Sequence, residues 1–126
     1  MKIAKLIVSG LLLAAATLSH ALDVKPYSAA ALAEAEKANQ PLALHFHADW
    51  CPTCRAQDKV VQTLKTEKGL DLTLLTVNYD TEKELKRRFK VNSQSSLIVL
   101  HGQKETARLV GDTSTDGIRD ALKTAL

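Results

Sequence analysis

The two cysteines of this 126-residue chain, Cys51 and Cys54, are separated only by Pro52 and Thr53. A disulfide across this spacing closes a very short loop, so it removes little entropy from the unfolded chain and stabilises a fold poorly. The spacing instead suits a bond that opens and closes during catalysis, or a pair of metal ligands. An apolar run precedes the pair and a helical pattern follows it, so the sequence predicts a site where a strand turns into a helix.

Extended and helical patterns alternate around this pair. The apolar run at residues 42–47 predicts a buried central strand whose alternation places Ala43, His45 and His47 on one face. Residues 22–27 form an extended lead-in. The other predicted elements are helices at residues 29–39, 52–65 and 81–89, strands at residues 72–77, 96–101 and 106–110, and a final helix ending at Leu126. This order predicts an α/β fold with a mixed four-stranded sheet flanked by helices on both faces.

Several predicted helices carry capping signals at their first turns. Ser28 precedes the first helix, and Thr81 with Glu84 matches a capping box for the third. Either Thr113 or Ser114 caps the last helix. The inward-facing residues expected on that helix are Ile118, Leu122 and Leu126.

The N-terminus has the composition of a secretory signal peptide. Lys2 and Lys5 precede a mostly apolar run at residues 6–18, and a small-x-small cleavage site follows. An uncleaved membrane anchor is the alternative, but it needs about 20 apolar residues, and this run is shorter and interrupted by polar residues. We therefore predict that residues 1–21 are removed, leaving one domain at residues 22–126 that works in the periplasm.

The formal net charge of +3 includes both lysines of that signal, so the remaining domain is nearly neutral. Such a domain lacks the basic surface that binds nucleic acids or anionic lipids. We therefore expect no nucleic-acid partner, no stable membrane insertion after cleavage, and a monomer that acts on other exported proteins.

The first turn of a helix lowers the pKa of a thiol placed there. Unpaired backbone N–H groups and the positive end of the helix dipole stabilise the thiolate and move a cysteine pKa from about 8.5 to roughly 3.5–7.5. Cys51 has this position and is expected to be the exposed attacking thiol, with Arg55 adding a positive charge nearby. Cys54 lies one turn further in, where it can attack the mixed disulfide formed at Cys51. This cycle needs no cofactor beyond the two sulfurs.

Residues 46–55, with the sequence FHADWCPTCR, resemble the active-site segment of the thioredoxin superfamily. The Ala-Asp-Trp-Cys stretch most resembles the C-terminal periplasmic domain of the thiol:disulfide interchange protein DsbD and small exported relatives. Further matching stretches are Val77-Asn78-Tyr79-Asp80, Phe89-Lys90-Val91 and Val110-Gly111. The resemblance implies a thioredoxin-like fold with Cys51 as nucleophile and Cys54 as resolving thiol. It also favours a reductase or exchanger of exported protein disulfides that draws electrons from a membrane partner. Pro52 and Thr53 do not fix the direction of electron flow, so an oxidase or isomerase role stays open.

One departure from this family concerns the residue beside the dithiol. The family has a cis-proline there, whereas the matching position is Ser95 and no proline occurs after Pro52. A cis peptide bond before a non-proline residue costs about 3–4 kcal/mol. We therefore expect the bond between Gln94 and Ser95 to be trans.

Two histidines also depart from the family pattern. His45 stands where thioredoxins usually carry a buried aspartate below the resolving cysteine, so it could shuttle a proton to or from Cys54. The alternative, which the sequence leaves open, is a hydrogen-bonded core histidine. His47 replaces a residue that is often aromatic, which favours a packing role. Trp50 is expected to shield the dithiol and to contact partners, as its family counterpart does, with a purely packing role as the alternative.

Two other functions are compatible with the sequence. Cys51 and Cys54 could bind copper(I) or zinc together with His47 or His101, as a metal-binding or metal-delivery module. Alternatively, the dithiol could be vestigial or regulatory in a protein that only binds partners. The basic run at residues 86–88 shares its helix with acidic residues, which indicates a solvated face rather than a binding site.

Overall fold

The computed structural model describes residues 21–126. The predicted signal peptide, apart from Ala21, therefore lies outside the described residues. The elements are β1 (Asp23–Pro26), α1 (Ala29–Lys37), β2 (Pro41–His47), α2 (Pro52–Leu64), β3 (Thr73–Asn78), α3 (Lys83–Arg88), β4 (Ser96–His101), β5 (Lys104–Val110) and α4 (Thr115–Lys123). No helix in this part of the chain is long and apolar enough to cross a membrane.

The strands form one mixed sheet in the order β1-β3-β2-β4-β5. β1 and β2 run parallel to β3, whereas β4 is antiparallel to β2 and pairs with β5 as a hairpin. The parallel neighbours are joined through helices and the antiparallel hairpin through the turn at Gly102, as the order of the sequence patterns predicts. The predicted α/β fold class is confirmed.

The predicted number of strands is wrong, because the segment taken as a lead-in is the fifth strand. β1 pairs with β3 in a register that begins at Asp23 opposite Thr73 and ends at Pro26 opposite Thr76. The stretch Asp-Val-Lys-Pro alternates polar and apolar residues, but it is only four residues long and ends in a proline, so its pattern alone does not predict a strand. An edge strand needs hydrogen bonds along only one side and tolerates proline, so β3 supplies the pairing that makes these residues extended.

The sheet separates two apolar cores, which confirms helices on both faces. On one face, Ala43 of β2 lies in a core with α2 and α4. On the other face, Leu42, Leu44 and Phe46 lie in a core with α1 and α3. The alternation predicted for β2 is therefore confirmed, and it turns His45 towards the face that α2 covers.

Two local expectations about helix ends are wrong. The capping box at Thr81 is absent because the side chain of Asn78 accepts the N–H groups of Asp80 and Thr81, at 3.0 and 3.3 Å, and α3 begins only at Lys83. Leu126 is exposed. The last residues follow i to i−3 turn bonds after α4 ends, and this tighter spacing turns the inward face away from Leu126.

Candidate active site

The dithiol lies where β2 ends and α2 begins. Cys51 is the N-cap residue of α2 in an extended conformation, and Pro52 occupies the first helical turn, where its missing N–H costs no hydrogen bond. The Cys51 sulfur accepts the backbone N–H of Cys54 at 3.2 Å. The predicted placement of the thiol at a helix start is confirmed, and both cysteines are free thiols in the structure.

Both thiols are more buried than the sequence indicates. Cys51 is 2% exposed and Cys54 is fully buried, so the expectation that Cys51 projects into solvent is wrong. The two cysteines pack with Ala48 in a small buried cluster. A partner disulfide can therefore contact only a small part of the Cys51 surface, because protein atoms cover the rest.

Ser95 is the residue that connects the dithiol to the rest of the sheet. Its hydroxyl oxygen lies 3.2 Å from the Cys51 sulfur and 3.1 Å from the Cys54 sulfur. All peptide bonds between described residues are trans, as expected for Ser95. The residue has a left-handed backbone with φ of +68°, which positions its side chain over both sulfurs.

Gln57 is a site residue that the sequence reasoning missed. Its side-chain nitrogen donates to the carbonyl oxygens of Ser95, at 3.1 Å, and Asp112, at 2.9 Å. Its side-chain oxygen lies 2.7 Å from Nε2 of His45, and because this oxygen only accepts, His45 carries its proton on Nε2. The available signal was the spacing of Gln57 from Cys54, which places a polar residue on the buried stripe of α2.

The environment makes the two thiols unequal. Burial alone would raise the pKa of Cys51, but hydrogen bonds from the Cys54 thiol, the Ser95 hydroxyl and nearby backbone amides outweigh it and hold the pKa below its usual value. Burial and the neighbouring Cys51 sulfur raise the pKa of Cys54, and hydrogen bonds from Ser95 and Ala48 offset this only in part. Cys51 is therefore the better nucleophile, and Cys54 stays protonated until it attacks the mixed disulfide.

The position of the dithiol between a strand and a helix agrees with the comparison of the whole sequence with known protein families. The thioredoxin family model matches residues 24–124. The chain belongs to the thioredoxin family. Members of this family are thiol–disulfide oxidoreductases, and the resemblance noted in the sequence is confirmed.

Thioredoxin relatives align over part of their lengths. A thioredoxin of Mycobacterium tuberculosis is 34% identical over 73 residues, which are 58% of this chain and 63% of that protein. The thiol:disulfide interchange protein DsbD 2 of Pseudomonas aeruginosa is 34% identical over 95 residues, covering 68% of this chain but only 16% of that protein. Among solved structures, Trxlp from Edwardsiella tarda has a TM-score of 0.74 and 35% identity, with 79% of this chain and 98% of that chain covered.

His45, at the position of the usual thioredoxin aspartate, is a hydrogen-bonded core residue. It is 2% exposed, and its hydrogen bond goes to Gln57 rather than to Cys54. Burial lowers its pKa, although the bond to Gln57 and the charge of Asp58 oppose this effect, so the ring is neutral near neutral pH. The structure therefore favours the core interpretation over direct proton transfer to Cys54.

His47 and Trp50 lie at the border of the site. Nε2 of His47 lies 2.7 Å from a carboxylate oxygen of Asp58 on α2, which agrees with a structural role. The ring of Trp50 is 58% exposed, and its N–H donates to Asp80 at 2.9 Å. The Trp50 ring is thus held by Asp80, with more than half of its surface open to solvent.

The ligand set required for a metal site is not assembled in the described part of the chain. Residues 21–126 contain no group of three or more histidine, cysteine, aspartate or glutamate side chains that could hold a metal ion. His47 is bound to Asp58, and His101 lies at the far end of β4 with Nδ1 2.6 Å from the carbonyl oxygen of Ala125. Neither histidine completes a site with the two cysteines.

Proposed function

We propose that this thioredoxin-family chain is a periplasmic thiol–disulfide oxidoreductase that reduces or exchanges disulfides of exported proteins. The observation that carries the proposal is the pair of unequal thiols at the start of α2. Cys51 has a pKa below its usual value and Cys54 has a raised pKa. Such a pair supplies one nucleophile and one protonated resolving thiol within a single helical turn.

The reaction proceeds in two exchange steps. The Cys51 thiolate attacks one sulfur of the partner disulfide, a bond forms between these sulfurs, and the other partner sulfur leaves with the electron pair and takes up a proton. Cys54 then loses its proton and attacks the Cys51 sulfur, which breaks the mixed disulfide and releases the second partner thiol. The partner gains two electrons, and the chain ends with a disulfide between Cys51 and Cys54.

Exposed apolar side chains beside the dithiol provide a contact surface for a partner protein. Trp50 is 58% exposed and Val110 is 60% exposed. Val110 lies at the end of β5, next to Gly111, whose N–H donates to the carbonyl of Ser95 at 3.0 Å. These two side chains therefore border the segment that holds both sulfurs.

Reduction is the proposed direction. Turnover in this direction requires a dithiol donor that reduces the disulfide between Cys51 and Cys54 after each cycle. Similarity to the thiol:disulfide interchange protein DsbD 2 supports a membrane protein as that donor. Electrons would then pass from the membrane donor to this chain and on to exported proteins.

Export with cleavage after Ala21 is part of the proposal. The observation that supports it is that Leu22 is 3% exposed and that Asp23 donates its N–H to Leu72 at 3.0 Å. The proposed cut falls immediately before the first core residue and leaves the fold whole. The mass of the exported protein tests this step, and retention of residues 1–21 would refute it.

The function itself is tested by equilibrating the metal-free protein in glutathione buffers of known potential and counting free thiols by mass. We expect one two-electron transition. A midpoint near about −270 mV supports a reductase, and one near about −120 mV identifies an oxidant instead. A dithiol that forms no reversible disulfide contradicts the proposal.

Trapping variants identify the roles of the two thiols. Cys54→Ser should accumulate a mixed disulfide with a disulfide-containing peptide, because the resolving thiol is absent. Cys51→Ser should accumulate none. If Cys51→Ser retained the biological function of the chain, the dithiol would be vestigial and the proposed activity would be wrong.

A further inference from the structure

Both sulfurs share one hydroxyl partner. Ser95 Oγ is 3.2 Å from the Cys51 sulfur and 3.1 Å from the Cys54 sulfur, and Ser95 itself is 3% exposed. In the described part of the chain, it is the only side chain other than the two cysteines that hydrogen-bonds either sulfur. A serine hydroxyl donates only one hydrogen bond at a time, so its proton can stabilise one of the two sulfurs in each step.

We propose that Ser95 is a third catalytic residue, whose hydroxyl donates to the sulfur that carries the charge, first to the Cys51 thiolate and then to Cys54 when that thiol is deprotonated. This inference rests on the proposed oxidoreductase function. The direction of the hydrogen bond follows from chemistry, because a thiolate can only accept. The hydroxyl thereby stabilises the thiolate form of the attacking sulfur in each exchange step.

The backbone around Ser95 is built to hold the hydroxyl in this place. A left-handed backbone is uncommon for a residue with a side chain and costs of order 1–3 kcal/mol, so it persists only where the surroundings determine it. Three hydrogen bonds do so here. The N–H of Ser95 donates to Phe46 at 2.8 Å, and its carbonyl accepts from Gln57 at 3.1 Å and from Gly111 at 3.0 Å. Strain maintained in this way next to reacting atoms indicates function rather than packing.

The other polar groups of the site do not replace this hydroxyl. The backbone N–H of Cys54 donates to the Cys51 sulfur but has no bond to offer its own side chain. His45 directs its proton to Gln57. Among the described residues, Ser95 is therefore the side chain, apart from the cysteines themselves, that can donate to either sulfur.

The test compares two substitutions that both remove the hydroxyl but differ in whether the left-handed backbone remains strained. Ser95→Ala keeps a Cβ atom in the left-handed conformation, whereas Ser95→Gly removes both the hydroxyl and the strain. The matched control is Ser96→Ala, since the Ser96 hydroxyl is buried in the same segment but donates to the carbonyl of Ser93 at 2.7 Å. Thiolate absorbance against pH and the redox midpoint in glutathione buffers are measured for each protein.

A hydrogen bond to a charged group contributes enough to change an equilibrium about tenfold. Both Ser95 variants should therefore raise the pH midpoint of Cys51 ionisation by about one unit. Because the reduced form loses stabilisation, their redox midpoint should shift by about 30 mV to more negative values. Ser96→Ala should leave both quantities at the wild-type values.

Wild-type pH profiles and potentials in both Ser95 variants would overturn the proposal and make Ser95 a structural residue. A change in Ser95→Ala that is absent in Ser95→Gly would also overturn it, because strain rather than the hydroxyl would be responsible. The Gly variant decides the question where the Ala variant does not fold. Failure of the wild-type protein to form a reversible disulfide would refute the proposed function itself, which this comparison separates from the role of Ser95.

Discussion

A single glutamine connects three separate parts of the chain beneath the dithiol. The side chain of Gln57 bonds His45 on β2, the carbonyl of Ser95 before β4, and the carbonyl of Asp112 before α4. All three contacts lie in the interior or at its border, where an unpaired polar group is costly. Gln57 therefore acts as a positioning residue, because it holds Ser95 and not a sulfur.

Replacing this glutamine should destabilise the fold strongly. Gln57→Leu leaves the three partners without their hydrogen bonds, and each buried unpaired group costs about 1–3 kcal/mol. We expect the free energy of unfolding in urea to fall by about 3 kcal/mol or more. Gln62→Leu is the matched control, since Gln62 is exposed on the same helix and should change stability little. Equal stability of the two variants would contradict the role assigned to Gln57.

His45 should make stability depend on pH. Its pKa is lowered by burial in the folded state, so the unfolded chain binds more protons once the pH falls below about 6.5. This contribution of His45 to the free energy of unfolding is fully present above that pH and is lost as the pH falls towards the pKa of the folded state. For one proton, the loss is at most about 1.4 kcal/mol per pH unit.

This dependence is measured by urea unfolding between pH 8 and pH 5. His45→Gln, which keeps a donor for Gln57, should flatten the curve below about pH 6.5. Gln62→Leu, an exposed change on α2 that adds or removes no titrating group, should retain the wild-type slope. An unchanged slope in His45→Gln would show that other groups cause the acid sensitivity.

The start of α4 belongs to the same structural unit as the dithiol. Ser114 caps this helix by accepting the N–H of Gly117 at 3.1 Å, and Asp112 accepts both the N–H and the hydroxyl of Ser114, at 2.8 and 2.7 Å. The carbonyl of the same aspartate accepts from Gln57 on α2. The cap therefore fixes the turn to which α2 is tied.

The two residues that the sequence offered as caps should differ clearly when substituted. Ser114→Ala removes the cap and should lower the free energy of unfolding by about 1 kcal/mol. Thr113→Ala should have little effect, because Thr113 is exposed and makes no cap bond at this helix. Thermal or urea unfolding of both variants gives the comparison, and a larger loss for Thr113→Ala would reverse the assignment.

The N-terminal edge strand joins the first residues of the domain to its core. Leu22 packs with residues of β3, β4, α2 and α4 in the core that α2 covers. β1 adds its hydrogen bonds to β3, on the side of β3 away from β2. This arrangement places the start of the described fold within a sheet rather than in a loose tail.

Leu22 should accordingly contribute as a full core residue. Leu22→Ala is expected to lower the free energy of unfolding by about 3 kcal/mol, in the range for buried leucines. Lys25→Ala on the same segment should change it little, because Lys25 and its ion-pair partner Asp23 are exposed. A Leu22→Ala protein as stable as Lys25→Ala would mean that the domain does not depend on this strand.

Local sequence patterns determined the course of the chain and the position of the dithiol. Alternation in β2, the cap at Ser28 and the start of α2 at Pro52 depend on residues within a few positions of one another, so they could be predicted without tertiary information. The unequal roles of Cys51 and Cys54 follow partly from the same local geometry, because the helix start acts on the first thiol.

Tertiary structure alone decided the features that couple distant segments. Gln57 reaches Asp112 across 55 positions. The family resemblance placed Ser95 beside the dithiol, but only the structure shows its hydroxyl bonded to Cys51 across 44 positions and to Cys54 across 41. β1 becomes a strand only because β3 offers an edge, and the burial of Cys51 depends on packing around it. Hydrogen bonds and burial between such segments leave no local pattern, because each partner alone would be as well satisfied by water.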